Sequence, residues 1–368
     1  MRELYLTYLN RLDVEAAALA DEEIIAAIEA ALAMQGRGET VIEPRVHLEP
    51  NAGAEGHFNV LRGAIGGAIG LAGVKVVGDF VGNYTQDLPS ELGLLCLFDP
   101  GTGAPVAVID ASGITDMRTG AVTAVGAKYL APGRPKILGH IGARGTAYWN
   151  VRLLDRLLGF EEIRVHSRRA ASRDEFARRL TGELGKRVVA TADWRSCVEG
   201  ADIVVEASRL SAPEPLLRTD WIKPGALVIP YGTMSAVELS LTDIMSKIVV
   251  DDWASAAAAS SAHCVPTSRR ASSPRTRCTP NLARSSPGSG QAGSARTRRS
   301  CSGTGACRSR TSHSATRSWP KPPRPEPGNG SVTRDRKGLA GCGRGCALSA
   351  RGCGDHPLWV VRAETAGP

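Results

Sequence analysis

The chain has 368 residues, with 45 basic against 37 acidic side chains and a net charge of +8. Residues 254–368 hold 17 Arg and 2 Lys against 4 acids, net +15, which leaves residues 1–253 with 26 basic against 33 acidic, net −7. The basic balance therefore belongs wholly to the tail. No apolar run approaches a membrane span, and the amino terminus lacks the apolar core of a signal peptide.

Taken in order, Leu4–Leu9 reads as a short strand. Asp21 to Leu32 reads as a helix, with Asp21 as N-cap and Ile24, Ile28, Ala31 and Leu32 as its packing stripe. Strands are expected over Val41–Leu48, Gly73–Phe80, Gly93–Asp99 and Pro105–Ile109, with a hairpin turn at Asp99-Pro-Gly-Thr-Gly103. Ile114–Ala131 reads as a helix. Cys96 and Cys197, the only cysteines of residues 1–253, suit a reduced, cytoplasmic compartment.

The next stretch carries the chemistry. Ile137 to Ile141 reads as a buried strand that ends at Gly142. Helical spacing then begins with Ala147, Val151, Leu154, Leu157 and Leu158. A strand passing through a glycine turn into a helix places backbone N–H groups and the positive helix end at one point, which suits a dinucleotide pyrophosphate. The turn departs from the G-x-G-x-x-G/A pattern. Ala147 fits, but Arg144 stands where the second glycine belongs and Gly145 comes one step late, so Arg144 either takes another turn or reaches the phosphate itself. An ordinary glycine turn is the alternative.

A second strand, Ile163–Ser167, ends in Ser167-Arg168-Arg169 with no carboxylate between Val165 and Arg173. An acid there would bind the ribose of NAD(H), whereas arginine accommodates the extra phosphate, so NADP(H) is favoured over NAD(H). A solvated basic turn is the alternative. Further strands are expected at Ile203–Glu206, Ala226–Pro230 and Ile248–Val250. Such alternation predicts an α/β fold built on a doubly wound parallel sheet.

Three cations stand near glycines or element ends: Arg45 in an apolar strand pattern, Lys75 after Ala72-Gly-Val, and Arg118 at the head of a helix. Pro44-Arg45, Gly73-Val-Lys75-Val-Val, Asn83 through Leu88-Pro-Ser90, Leu97-Phe-Asp99 with Thr102-Gly103, and Ile114-Thr-Asp-Met-Arg118-Thr119 occur in that order. Asp202 to Ser208, Trp221-Ile-Lys-Pro-Gly225 and Val250-Asp-Asp-Trp253 follow. In this series residues 1–253 resemble the ornithine cyclodeaminase/mu-crystallin family.

The resemblance implies an amino-terminal α+β substrate and dimerisation domain over residues 1–125, a Rossmann domain over 126–253, and a homodimer. It also implies hydride exchange at the α-carbon of a small amino or imino acid, as in a cyclodeaminase, an amino-acid dehydrogenase or a ketimine reductase. Carried over, Arg45 and Arg118 would grip the substrate carboxylate through planar guanidinium forks. Lys75 would exchange protons beside them. Gly142, Arg144, Gly145, Thr146, Ala147, Ser167, Arg168, Arg169 and Ser208 would hold the cofactor, and no metal is implied. Cyclodeaminases carry an aspartate after the fifth strand, whereas Ile229 to Glu238 here has no acid before Glu238, with Gly232 or Thr233 near that position. A diamino acid such as ornithine is then less suited than an imine or a simple amino acid.

Residues 254–368 sustain neither apolar period and encode no core, so a disordered tail is expected. A basic nucleic-acid arm would want aromatic interleaving that is missing, and Cys342, Cys346, Cys353 and His356 have irregular spacing for a metal site. A frame-shifted translation fits better. Codons for Thr279 to Gly288, read one base earlier, can give Tyr-Ala-Glu-Leu-Gly-Glu-Ile-Val-Ala-Gly, and those for Thr311 to Thr316 can give Asp-Ile-Ala-Leu-Gly-His, both resembling the family's usual carboxy terminus. The Rossmann domain would then lack its closing helices; nucleic acid is a less expected partner than a small amino or imino acid, and no membrane partner is expected.

Overall fold

The computed structural model describes residues 3–51, 55–208, 210, 213–230, 232, 236–252 and 359–363. Elements follow in the order β1 (Thr7–Leu9), α1 (Arg11–Ala16), α2 (Asp21–Arg37), β2 (Thr40–Ile42), β3 (Val46–Leu48), β4 (Gly56–Ile65), β5 (Leu71–Phe80), β6 (Glu91–Phe98), β7 (Pro105–Asp110) and α3 (Ser112–Leu130). Next come β8 (Ile137–Ile141), α4 (Ala147–Leu158), β9 (Glu162–His166), α5 (Ala170–Leu184), β10 (Val188–Ala190), α6 (Trp194–Val198), β11 (Ile203–Glu206), β12 (Leu227–Pro230), β13 (Met245–Val250) and β14 (Trp359–Ala363).

The first sheet runs β1-β7-β6-β5-β4-β2, with β3 also on β4, and is antiparallel except for the β1–β7 pair. Strand β4 was not expected from the sequence. Gly56, Gly63 and the polar His57, Asn59 and Arg62 interrupt its apolar pattern, yet it pairs along its whole length with β5. The expected strand over Val41–Leu48 is instead two short strands, β2 and β3, parted at Glu43-Pro44-Arg45. Pro44 removes a ladder donor and restricts the residue before it, so Arg45 lies in a link rather than in a strand.

The two faces of this sheet differ. Lys75 shares a face with the buried Val77, Asn59 and Ala107, and α3 lies against it. The opposite face presents Val46, Val76, Leu92, Leu94 and Val106, all exposed.

The second sheet runs β10-β9-β8-β11-β12-β14-β13. The pairs from β10 to β12 are parallel, and β14 pairs antiparallel with both β12 and β13. The short strand β10 was not expected. Strand β14 adds order to a tail from which none was expected. The Cys342, Cys346, Cys353 and His356 group and the frame-shift segments lie outside the described residues.

Helices α2 to α5 pack on one face of this sheet around Val151, Leu154, Ile163 and Val205, while Cys197, Val204, Leu217, Val228 and Leu241 form a core on the other. Helix α2 begins one residue earlier than an Asp21 N-cap would place it. Ala20 is its N-cap, the Glu23 carboxylate accepts from the Ala20 N–H at 2.8 Å, and Asp21 turns to Arg152 at 2.9 Å. Helix α3 carries buried threonines at 115, 119 and 123, each donating its hydroxyl to the carbonyl four residues back. It spans the expected domain boundary at 125/126.

Candidate active site

The order β9-β8-β11 reverses at β8, and the crevice beyond the carboxyl ends of β8 and β11 is where open α/β sheets bind ligands. The glycine turn stands at its edge. Gly142 has φ +112°, and a Cβ there would meet the Ala207 carbonyl oxygen at 2.7 Å, so the position requires glycine. Its N–H donates to the His166 carbonyl at 2.8 Å, and its carbonyl faces His140 Nδ1 at 3.0 Å. His140 is fully buried, and burial pulls its pKa down to about 4, so the neutral ring donates from Nδ1 and pins the turn. Thr146 occupies the N-cap position of α4 with no side-chain cap hydrogen bond, and Ala147 is buried against the sheet beneath the first helical turn.

Arg144 and Gly145 are exposed. The Arg144 guanidinium lies 4.6 Å from the centre of the Tyr84 ring, and its Nη2 donates to Ser172 Oγ at 3.4 Å. Ser172 lies in the first turn of α5, just beyond Ser167, Arg168 and Arg169, of which both arginines are exposed. Tyr84 belongs to a 3-10 turn, Val81–Gln86, that follows β5, and its hydroxyl accepts from Ser90 Oγ at 3.1 Å. The strand that carries Lys75 thus runs directly into the segment stacked on the glycine turn.

Lys75 Nζ donates to Thr115 Oγ1 at 3.1 Å. One residue on, Asp116 is half-buried, and burial pushes its carboxyl up to about 6, against the opposing pull of Arg118 and Lys75. Lys75, Asp116 and Arg118 are therefore one electrostatic cluster at the head of α3. Arg45 precedes Val46, whose partner Val60 precedes Leu61, the partner of Lys75. Two strand spacings, about 10 Å, separate the backbones of Arg45 and Lys75, within the joint reach of two long side chains.

Glu206 was missed by the sequence reading. It ends β11, is fully buried, and accepts the Ser208 N–H at 2.7 Å and the Ser208 hydroxyl on Oε1, while Oε2 has no partner among the described residues. Burial pushes its carboxyl up to about 7. The signal was present: an acid closing the all-apolar run Ile203-Val-Val. Asp116 has no distinguishing signal in the sequence: Arg118 lies two residues on, but Lys75 reaches it from a strand about 40 residues earlier. Ser208, expected to hold cofactor, spends its hydroxyl on Glu206. Among the described residues no group of His, Cys, Asp and Glu is arranged to hold a metal.

The fold and this turn define a dinucleotide-binding α/β protein, and the cradle at Gly142 fits such a cofactor. The model of the ornithine cyclodeaminase/mu-crystallin family matches residues 7–260, and the chain belongs to that family. Its members are oxidoreductases and cyclodeaminases acting on small amino and imino acids. The chain is 31% identical to the ketimine reductase mu-crystallin of Rattus norvegicus over 229 residues, 62% of this chain and 71% of the relative. Among solved structures it resembles the Delta(1)-pyrroline-2-carboxylate reductase of Thermococcus litoralis in complex with NADH and L-proline, with a TM-score of 0.68 and 26% identity over 76% of this chain and 85% of that one. It also resembles an archaeal alanine dehydrogenase dimer with bound NAD, with a TM-score of 0.61 and 25% identity over 68% and 76%.

Proposed function

We propose that this protein exchanges hydride at the α-carbon of a small amino or imino acid, with NADP(H) preferred over NAD(H). The single observation that carries the reading is the cluster of Lys75, Asp116 and Arg118 on the strand and helix adjoining the Tyr84–Arg144 contact. When bound, the nicotinamide supplies or accepts the hydride. Arg118 and Arg45 hold the substrate carboxylate in two forks, which fixes the α-carbon. Lys75, held by Thr115, exchanges a proton with the substrate nitrogen as the Cα–N bond changes order. Replacing Lys75 with Met should leave cofactor affinity intact and lower kcat by about 10²–10⁴. Stopped-flow oxidation of NADPH with cyclic imino acids, beside reduction of NADP by alanine, measures this. Turnover unchanged in Lys75→Met would end the assignment.

The NADP(H) preference rests on Arg168 and Arg169 after β9 and on Arg144 leaning toward Ser172. The solved relatives hold NADH or NAD, so the preference is argued from this chain's own arginines. The variant with both Arg168 and Arg169 changed to Ala should lose affinity for NADPH and keep it for NADH, as fluorescence titration would register.

A homodimer is supported by the exposed apolar face of the first sheet and by the dimer of the alanine dehydrogenase. Cys96 and Cys197 are free thiols, in keeping with the cytoplasm. The partition into residues 1–125, 126–253 and a frame-shifted 254–368 remains part of this reading, and the gene's nucleotides near codon 254 decide it. A second reading, a member that binds cofactor without turnover, is favoured by the family match stopping at residue 260. NADPH binding with no reaction across a panel of amino and imino acids would establish it.

A further inference from the structure

We propose that Glu206 is a cofactor-contact residue: the carboxyl oxygen left without a partner among the described residues, at the end of β11, accepts a hydrogen bond from the carboxamide N–H of a bound nicotinamide dinucleotide. The inference rests on the reading of the crevice as a nicotinamide site and adds a residue to it. Glu206 pairs in register with Ile141, the last residue of β8, and with Pro230, the last of β12. It therefore stands at the reversal of strand order, on the half of the sheet that begins with β11. In doubly wound folds each half of the sheet takes one mononucleotide. The glycine turn and α4 serve the first half, so the β11–β12 half is left for the nicotinamide.

The surroundings of the carboxyl are built around it. Ser208 serves Oε1 with both its N–H and its hydroxyl. The Gly232 N–H donates to the Glu206 carbonyl at 2.6 Å, and a Cβ on Gly232 would lie 2.5 Å from Oε2 and 2.9 Å from Oε1. Only a glycine lets the turn after β12 close on the carboxyl. Oε2 is nevertheless buried without a donor among the described residues, a condition that folded chains rarely tolerate unless a ligand or water completes the bond. The carboxamide is the N–H donor of the nicotinamide ring, and a carboxyl oxygen is its natural acceptor.

The test compares binding rather than turnover. NADH and NADPH, and the corresponding 3-acetylpyridine dinucleotides, which keep the carbonyl but lack the N–H, are titrated by calorimetry into the full chain and its variants. The wild type should bind the nicotinamide forms roughly ten- to a hundredfold more tightly than the acetylpyridine forms. Glu206→Gln, which keeps an acceptor, should retain most of that ratio, and Glu206→Leu should reduce it to near one by weakening the nicotinamide forms alone. Equal losses for both dinucleotide types in Glu206→Leu, or no discrimination by the wild type, would overturn the assignment and leave Glu206 as a pin for Ser208 and Gly232. A wild type that binds neither type overturns the nicotinamide site itself. Should Glu206→Leu fail to give a cooperative thermal transition, the ratios of the wild type and Glu206→Gln decide alone.

Discussion

Two buried titratable groups flank the crevice, and burial moves them in opposite directions. His140 is held neutral, down to about 4 from its ordinary 6.5, so its contribution to stability is complete above pH 6.5 and is lost as pH falls toward 4. Glu206 is raised from 4.5 to about 7, so folding is most favoured, as far as this group is concerned, below its ordinary value, and that advantage is lost as pH rises to 7. The span for Glu206 is on the order of 3 kcal/mol. Urea denaturation from pH 4 to 8 should therefore show Glu206→Gln losing the decline toward neutral pH, and His140→Gln losing the decline toward acid. A profile unchanged in either variant would refute that group's share.

At the scale of elements, the Val81–Gln86 turn couples the strand bearing Lys75 to the glycine turn. Stacking of a guanidinium on an exposed ring is worth about 0.5–1 kcal/mol, so Tyr84→Ala should weaken cofactor binding about two- to fivefold if Arg144 is oriented by the ring. Titration with NADPH would measure it, and an unchanged Kd would mean that Arg144 is positioned without Tyr84. The elements also show where sequence patterns fail. The run Ile137–Ile141 was legible because it is buried almost throughout, and the helical spacing from Ala147 because one face of α4 is buried and the other is not. Strand β4 was not, since its glycines and polar residues are accommodated by pairing with β5 rather than by any local preference.

For the whole molecule, one face of the first sheet is covered by α3 and the other leaves Val46, Val76, Leu92, Leu94 and Val106 in contact with water. The proposed homodimer would bury this contiguous apolar sheet face. If it forms there, Leu94→Lys should shift the protein from dimer to monomer in light scattering after size exclusion, with cofactor affinity of any surviving monomer retained. A dimer unaffected by that charge would place the interface elsewhere.

The sequence by itself determined the class: a strand, a glycine turn and a helix in succession, and the ordered motifs of the family, among which the cations at 45, 75 and 118 stand as candidates. These are local patterns along the chain that can be read without knowing what packs against them. What only the tertiary structure decided is which groups meet. Asp116 gains its raised proton affinity from burial at the head of α3, beside a lysine from β5. Glu206 acquires its position from Ser208 two residues on and from Gly232 two residues past the end of β12. Burial and proximity are properties of the packed chain, and no spacing along it encodes them.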